Sequence, residues 1–498
     1  MSIDLPAAES DTALLRSVNP ATGELIAEFT VDGELEVAAA VARARAAGRF
    51  WRELGEAGRR KRLIRWRAQL VADTAELAEL IHRENGKPVD DAVIEVTLAI
   101  AHLDWATQHA RKLLGKHRVL PGVLAANYAA TLEYLPFGVV GVIGPWNYPV
   151  HTPMGSISYA LAAGNAVVFK PSEFTPAVGR WLVQSFARVV SEAPVLQLVT
   201  GFGDTGAALC TAGVDKLAFT GSARTGKLVM AACAQTLTPC VVECGGKDAL
   251  IVAADADVEL AAEQTVWGAM FNAGQTCAGV ERVYVESAIY DEFLRGVTER
   301  AAKLRTGSAP DVDYGAITMP GQLEVISRHI EAALTGGGRA LVGGRDSVRP
   351  PYVDPVVLVD VAEDSPANTE ETFGPTVVIT RVDSVDEAVE KANSGSYGLG
   401  ASVFSRHQGE QIADRLEAGM VSINSVLTYA SIPGLPWGGT GDSGFGRIHG
   451  PDGLREFARS RAITRERFAI PLKVSMFGRG EKAIGQLSQL VRLRWGRS

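Results

Sequence analysis

The segment Lys216-Leu-Ala-Phe-Thr-Gly-Ser-Ala-Arg-Thr-Gly226 sets a short apolar run against a glycine turn, and helix-forming residues continue to about 234. A glycine at a strand-to-helix turn lets an anion approach the backbone and the positive end of the next helix. Gly221 and Gly226 are five apart with no glycine between them. That is not the Gly-x-Gly-x-x-Gly dinucleotide fingerprint, and taken alone the stretch reads equally well as a tight turn. The same alternation recurs outward from it. Residues 138–144, 166–170, 195–200 and 239–243 read as strands, and 177–191, 204–211 and 223–234 as helices. Apolar strands separated by helices predict an α/β fold whose parallel sheet is covered on both faces. Ligands of such sheets bind beyond the carboxyl ends of the strands.

A second alternating run, from about 248 to 424, is punctuated by Gly336-Gly337-Gly338, Gly343-Gly344 and Pro350-Pro351. Two α/β blocks predict two domains with a cleft between them. Upstream, residues 35–48, 59–86 and 90–114 predict a helical layer packed through Trp51, Trp66 and Trp105. The second of these helices closes on Asn85-Gly86-Lys87-Pro88, a C-cap glycine followed by a helix breaker.

Composition narrows the function classes. The 498 residues exceed one ordinary core, and 47% hydrophobic with 21% charged content describes a folded globular chain. A net charge of −8 argues against general nucleic-acid binding, which needs a basic surface. Five cysteines without a framework spacing fit free thiols in a reducing compartment. The start Met1-Ser-Ile-Asp-Leu-Pro6 has no basic-then-apolar leader, and no run approaches the ~20 apolar residues of a spanning helix. The expected location is the cytoplasm.

Chemistry-bearing residues stand at the strand ends. In Phe271-Asn-Ala-Gly-Gln-Thr-Cys-Ala-Gly279, Cys277 lies among small and amide-bearing residues, which leave room for a group to approach the sulfur. A small buried hydrophobe is the competing reading. Pro145-Trp-Asn-Tyr-Pro149 fixes the amide of Asn147 between two prolines, a sensible place for a neutral donor that must meet a developing negative oxygen. A proline-bounded turn is the alternative. Glu243 ends an apolar strand, where desolvation would raise its pKa toward that of a general base, or where it is simply an exposed strand-end acid. Lys170-Pro-Ser-Glu173 could grip ribose hydroxyls, with the acid favouring a free 2′-hydroxyl, or could be a charged surface loop. In Glu370-Glu371-Thr-Phe-Gly-Pro375 one acid could hold a ribose and the ring could support a flat group. Cys240 and Cys244 share one strand face and read as packing residues. None of the eight histidines has a partner at metal-ligand spacing, so no metal is expected.

Pro-Trp-Asn-Tyr-Pro, Lys-Pro-Ser-Glu, Phe-Thr-Gly-Ser, Glu-Cys-Gly-Gly-Lys, Gly-Gln-Thr-Cys and Glu-Thr-Phe-Gly-Pro occur in this order. On these motifs the chain, from about 18 to 460, resembles the NAD(P)-dependent aldehyde dehydrogenase superfamily, in its hydrolytic, non-CoA-acylating branch. The resemblance implies a Rossmann-like cofactor domain (1–117 and 137–245) and an α/β catalytic domain (246–440). It also implies a small β oligomerisation extension (118–136 and 459–470) in a homodimer or homotetramer. Cys277 would be the nucleophile, Asn147 with the Cys277 N–H the oxyanion hole, and Glu243 the base that activates water. Trp146, Lys170, Ser172, Glu173, Gly221, Ser222, Gly226, Glu371 and Phe373 would contact the cofactor. That cofactor would be NAD, with NADP not excluded, and the substrate a small aldehyde oxidised to its acid. Alternatives are a semialdehyde-specific enzyme, a CoA-acylating or reductive branch member, and a catalytically silent homologue. Trp267, Met270, Phe271, Ala278, Tyr429 and Trp437 suggest an apolar substrate wall.

Three positions depart from the family pattern. Cys244 stands where leucine is usual, Tyr159 where a proline is usual, and Ile448-His449 follows Arg447 where many relatives carry a glutamate. Cys244 is expected to be open to oxidation with nearby groups. The tail 471–498 aligns Ile484, Leu487, Val491 and Trp495 on one helical face, with Lys482, Arg492, Arg494 and Arg497 around it. Such a helix docks on its own or a partner subunit, the preferred expectation, or lies on an anionic membrane.

Overall fold

The computed structural model describes residues 14–309, 311–470 and 476–496. β1 (Leu14–Val18) and β2 (Leu25–Thr30) pair antiparallel. The helical layer that follows comprises α1 (Glu34–Glu53), α2 (Gly55–Ala72), α3 (Thr74–Asn85) and α4 (Val89–Leu114). The single helix expected over 59–86 is thus two, because side chains compete with the helical ladder at Asp73. Gln69 Nε2 donates to Asp73 Oδ2 at 2.7 Å, Arg188 donates to the same oxygen at 3.1 Å, and the Thr74 hydroxyl donates to the Leu70 carbonyl at 2.9 Å. The expected stop at Gly86 is present. Its φ of +94° is a left-handed cap, and its N–H donates to the His82 carbonyl.

β3 (His117–Val119) and β4 (Tyr128–Pro136) join the strand Ala458–Glu466 in a three-stranded sheet. Contacts divide the chain into two compact units: Met1–Leu113 with Pro136–Arg459, and Leu114–Leu135 with Ser460–Ser498. The smaller unit holds most of that sheet and the helix Glu481–Trp495. No residue of this helix is buried, and Ile484, Val491 and Trp495 are 42%, 41% and 55% exposed. Among the described residues of its own unit nothing buries the stripe fully, and only Leu487 of its four residues is half-buried. Residues 471–475 and Arg497, part of the same expectation, lie outside the described residues. Among the described residues no helix is long and apolar enough to cross a membrane.

The larger unit contains both big sheets. The first is built from β5 (Val139–Ile143), α5 (His151–Ala163), β6 (Ala166–Lys170), α6 (Pro176–Val189) and β7 (Leu196–Leu198). It continues with α7 (Gly203–Thr211), β8 (Lys216–Gly221), α8 (Ala223–Ala234) and β9 (Cys240–Cys244). The spatial order is Gly444–Phe445, β9, β8, β5, β6, β7, and all but the Gly444–Phe445 edge run parallel. The chain steps outward from β5 to β7 and then crosses back to β8, which makes β5 the point of divergence where α/β sheets place ligands. Asn147, Lys170, Gly221 and Glu243 all sit at or just past carboxyl ends of these strands.

The second sheet begins with β10 (Asp248–Val252), followed by α9 (Val258–Met270) and β11 (Val280–Glu286). Its order is Arg339–Val342, Val356–Val359, Thr376–Val382, β11, β10, Gly400–Phe404, Met420–Ile423, with only the Arg339–Val342 edge antiparallel. Consecutive residues of β10 feed opposite cores, as strand alternation requires. Leu250 and Val252 pack with Val283, Phe293 and Ile379, while Ile251 packs with Tyr284, Val403 and Ile412.

Candidate active site

The loop that carries Cys277 is held by its backbone shape. α9 starts on the Asp257 side chain, which accepts the Leu260 N–H, and ends at Met270. Asn272, Ala273 and Gly274 then all adopt left-handed conformations, at φ 54°, 57° and 69°. Such backbone is costly for the first two and persists only where its surroundings impose it. At Gly274 a Cβ would stand 2.1 Å from the Gly374 carbonyl oxygen, so only glycine lets this loop touch the turn after Phe373. Gln275 clamps the loop: its amide donates to Asn272 O at 3.0 Å and accepts from Thr318 N–H at 2.8 Å. The Cys277 thiol is part-buried, and burial, then Glu243, Glu371 and Asp248, hold its pKa well above the ordinary value.

The Asn147 loop meets this loop directly. Asn147 Nδ2 donates to the Gln275 carbonyl at 3.0 Å, and Asn272 Nδ2 donates back to the Asn147 carbonyl at 3.1 Å. Beneath it lies a buried ion pair that the sequence analysis did not single out. Lys87 Nζ donates to Glu95 at 2.6 Å and to the Asn147 carbonyl at 2.8 Å. The other Glu95 oxygen accepts the Val150 and His151 N–H groups at 2.7 and 3.1 Å. Asn85 donates to the Trp146 carbonyl at 2.9 Å. Tyr148 lays its ring 4.0 Å from Lys87 Nζ, and its hydroxyl shares a 2.8 Å bond with Thr276.

Glu243 is buried on β9, not an exposed strand-end acid. Oε1 accepts from Trp437 Nε1 at 2.5 Å, while Oε2 has no hydrogen-bond partner. Burial raises this carboxyl to about 7, against the smaller lowering effects of Trp437 and the nearby Thr220.

The residues expected to meet a cofactor fall into two groups. Lys170, Ser172 and Glu173 converge at the end of β6: the Ser172 hydroxyl donates to Glu173 at 3.2 Å, and Lys170 Nζ stands 3.9 Å from the same carboxylate. Gly221 ends β8, and Ser222 caps α8 by accepting the Thr225 N–H. Gly226 is buried, and a Cβ there would stand 2.9 Å from Val242 and 3.0 Å from Cys244 Sγ. Its contribution is the close seating of α8 on the sheet. On the other side, Phe373 and Trp146 meet edge to face with ring centres 5.4 Å apart. Glu371 accepts the Gly246 N–H at 3.2 Å, and burial, with Glu281 next, raises it to about 8. The bare backbone of Gly245 is what admits this carboxylate, since a Cβ would lie 1.8 Å from Oε1. The turn is fixed by Glu281, another residue missed in the sequence. Glu281 pairs with buried Lys247 and accepts the Thr372 and Phe373 N–H groups at 2.9 and 3.0 Å.

These residues fit a dinucleotide. Lys170 Nζ is buried at the carboxyl end of β6, next to the switch strand β5, and its hydrogen bond to Pro171 O leaves it donor capacity.

The proposed wall residues divide. Trp267, Met270 and Phe271 line a cavity of about 500 Å³ with Asp91, Arg300 and Lys303. Tyr429 and Trp437 instead pair edge to face at 5.7 Å, on the Glu243 side. Cys244 backs onto Gly226, whereas Cys210 and Cys240 both bond Cys233. His102, His151 and His449, remote in sequence, come together in the core, and no sequence spacing signalled it.

Two largely parallel sheets thus carry a buried strand-end carboxyl and a part-buried thiol on a left-handed loop. The family model described as the aldehyde dehydrogenase family matches residues 7–463. The 4,4′-diapolycopene aldehyde oxidase of Methylomonas sp is 36% identical over 93% of this chain and 88% of its own length. A Mycobacterium ulcerans protein with the provisional name succinate-semialdehyde dehydrogenase [NADP(+)] 2 is 36% identical over 90% of this chain and 87% of its own. The solved lactaldehyde dehydrogenase of Escherichia coli superposes with a TM-score of 0.87 at 29% identity, covering 91% of this chain and 96% of that one. This chain belongs to the aldehyde dehydrogenase family, and its fold is the family's.

Proposed function

We propose that the enzyme oxidises an apolar aldehyde to the free carboxylic acid with NAD. The observation that carries this is Glu243, a buried carboxyl raised to about 7 with one oxygen held by Trp437 and the other without a partner. In this reading the Cys277 thiol loses its proton to solvent, the thiolate adds to the aldehyde carbon, and the Asn147 amide with the Cys277 N–H stabilises the tetrahedral oxygen. The nicotinamide, when bound, supplies the hydride-accepting chemistry that leaves a thioester on Cys277. Glu243 takes a proton from water, the water attacks the thioester carbon, and the carbon–sulfur bond breaks to free the acid. A CoA-acylating or reductive enzyme would have no use for this base, and a silent homologue none for the whole arrangement.

Lys170, Ser172 and Glu173 would hold the adenosine ribose, Gly221, Ser222 and Gly226 the pyrophosphate turn, and Glu371 with Phe373 and Trp146 the nicotinamide end. Glu173 beside Lys170 favours a free 2′-hydroxyl. Some relatives are named as NADP-dependent, so both nucleotides belong in the assay. The Trp267 and Phe271 rings, 4.9 Å apart, favour an apolar substrate, as does the relative named for 4,4′-diapolycopene aldehyde. Arg300 on the same cavity is the observation that favours a semialdehyde, but its guanidinium is taken by Glu259 and the Gly296 carbonyl. The three-stranded sheet would join subunits in a homodimer or homotetramer in the cytoplasm, with the exposed tail helix docking on a partner subunit or an anionic membrane.

Reduced-nucleotide absorbance, measured over apolar, aromatic and carboxylated aldehydes with NAD and NADP, tests this. Apolar aldehydes with NAD should give the highest kcat/KM. Glu243→Gln should keep a single-turnover burst and lose steady turnover, and full steady turnover in that variant would overturn the reading.

A further inference from the structure

We propose that His102, His151 and His449 form a site for a divalent transition cation of the zinc class, which ties the segment bearing Trp437 to α4 and α5. His102 sits within α4, His151 opens α5 just after the Asn147 loop, and His449 precedes the helix Gly450–Glu456. All three are buried, and one ligand nitrogen from each lies within 4.8 Å of the others. The ring centres of His102 and His449 are 3.7 Å apart, and those of His102 and His151 5.3 Å.

Three nitrogens in this cluster have no hydrogen-bond partner: His102 Nδ1, His151 Nε2 and His449 Nε2. Each buried polar atom left unpaired costs about 1–3 kcal/mol, so a ligand shared by all three would be favoured. The tautomer of His102 is dictated by its surroundings. Its Nε2 lies 3.1 Å from the Ala430 carbonyl, which can only accept, so Nε2 carries the proton and Nδ1 presents its lone pair inward. A ligand imidazole oriented by a carbonyl on its other nitrogen is the usual second half of a metal site. Burial, the largest cause at each ring, also holds all three imidazoles neutral, His102 at about 4 and His151 at about 3, as ligation requires.

Two backbone features fit the same purpose. His449 holds a left-handed φ of 64°, an uncommon conformation for a side chain of this size. Gly155 leaves its ring room, because a Cβ there would stand 2.4 Å from His449 Nε2. An all-imidazole set suits zinc, copper, nickel or cobalt over magnesium or calcium. Tetrahedral zinc with bonds of about 2.0–2.1 Å places ligand nitrogens about 3.3 Å apart, so binding would draw the three nitrogens in and turn the nearly stacked His102 and His449 rings apart. Trp437, which holds Glu243, lies in the segment this site would anchor; its ring centre is 6.2 Å from that of His449.

The test uses the full chain, stripped with a chelator and dialysed against Co²⁺ or Zn²⁺ alone. One metal per chain is expected, with a Co²⁺ spectrum lacking a thiolate charge-transfer band and a higher Tm with metal than without. His151→Gln and His449→Gln should each weaken Zn²⁺ binding at least about tenfold. Cys233→Ser and Cys277→Ser should leave it unchanged, which separates the site from the thiols. Circular dichroism identifies any histidine variant that fails to fold, and for such a variant the wild-type stoichiometry and spectrum decide. Substoichiometric metal, a thiolate band, or binding that survives the histidine changes would each overturn the proposal.

Discussion

Lys87–Glu95 and Lys247–Glu281 are both buried ion pairs beside the site, yet they grip their loops differently. In the first, both members touch one loop: Lys87 holds the Asn147 carbonyl while Glu95 caps the Val150 and His151 N–H groups. In the second, Glu281 alone accepts the Thr372 and Phe373 N–H groups, and Lys247 reaches only the Thr372 hydroxyl. Both members of the first pair thus hold backbone groups of the Asn147 loop, whereas only Glu281 of the second holds backbone groups of the Glu371–Phe373 turn, where Gln322 takes the Thr372 carbonyl and Lys247 and His329 share the Thr372 hydroxyl. In the proposed role of Asn147, a donor that awaits a developing charge gains from rigidity.

The sharpest way to break this contrast is Lys87→Met. It leaves the Glu95 carboxylate buried without its counter-ion and should cost about 3–5 kcal/mol of stability by urea unfolding. Turnover should fall with it, because the Asn147 carbonyl loses its lysine. A loss below about 1 kcal/mol would mean that Glu95 finds compensation elsewhere.

Glu281→Gln is the parallel change on the other side, with a smaller expected loss of about 2–3 kcal/mol because the amide oxygen still accepts one N–H. Its kinetic signature should differ. The nucleotide KM should rise several-fold with kcat changed less, whereas equal falls in kcat and kcat/KM would show that the turn acts in the chemical step.

The pH dependence separates the two sides further. In its proposed role as base Glu243 must be ionised to take a proton, so steady turnover should climb as pH rises through about 7 and level above it. The stability sign is opposite. A carboxyl at about 7 when folded and near 4.5 when unfolded prefers its proton in the fold, so the folded state loses stability as pH rises from 4.5 through 7. Glu243→Gln removes that loss. Its Tm should exceed that of the parent by more at pH 8 than at pH 5, and an equal gap at both would refute the assignment of the raised pKa to this residue.

How far this site could be seen in the sequence depends on the range of each interaction. The strand-end motifs were legible because a parallel sheet delivers its carboxyl ends to one edge, so Asn147, Lys170, Gly221 and Glu243 needed only local patterns to be placed. Lys87 was read as helix punctuation, since a lysine between a C-cap glycine and a proline usually faces water. The missed signal was Glu95, a carboxylate inside the apolar run Ile94–Val96 of α4. Glu281-Arg282 inside the apolar strand β11 carried the same signal. The helix break at Asp73 was hidden because its side-chain bond to Arg188 spans 115 residues. The histidine cluster joins α4, α5 and the 449 turn, and no spacing along the chain encodes such a meeting.

The smallest effect concerns the one aromatic feature that distinguishes the pairs. Tyr148 places its ring 4.0 Å from Lys87 Nζ and its hydroxyl on Thr276 of the cysteine loop. Tyr148→Phe keeps the ring and loses one hydrogen bond, about 0.5–1.5 kcal/mol. Tyr148→Leu also loses the cation–ring attraction, a further ~0.5–2 kcal/mol at a desolvated site. The gap between the two variants therefore isolates the ring's hold on the lysine, provided the packing change is subtracted. Repeating both in the Lys87→Met background does that subtraction, because no cation remains over the ring. If the gap is unchanged there, the ring contributes only packing, and the ion pair's hold on the Asn147 loop is the Lys87 and Glu95 hydrogen bonds alone.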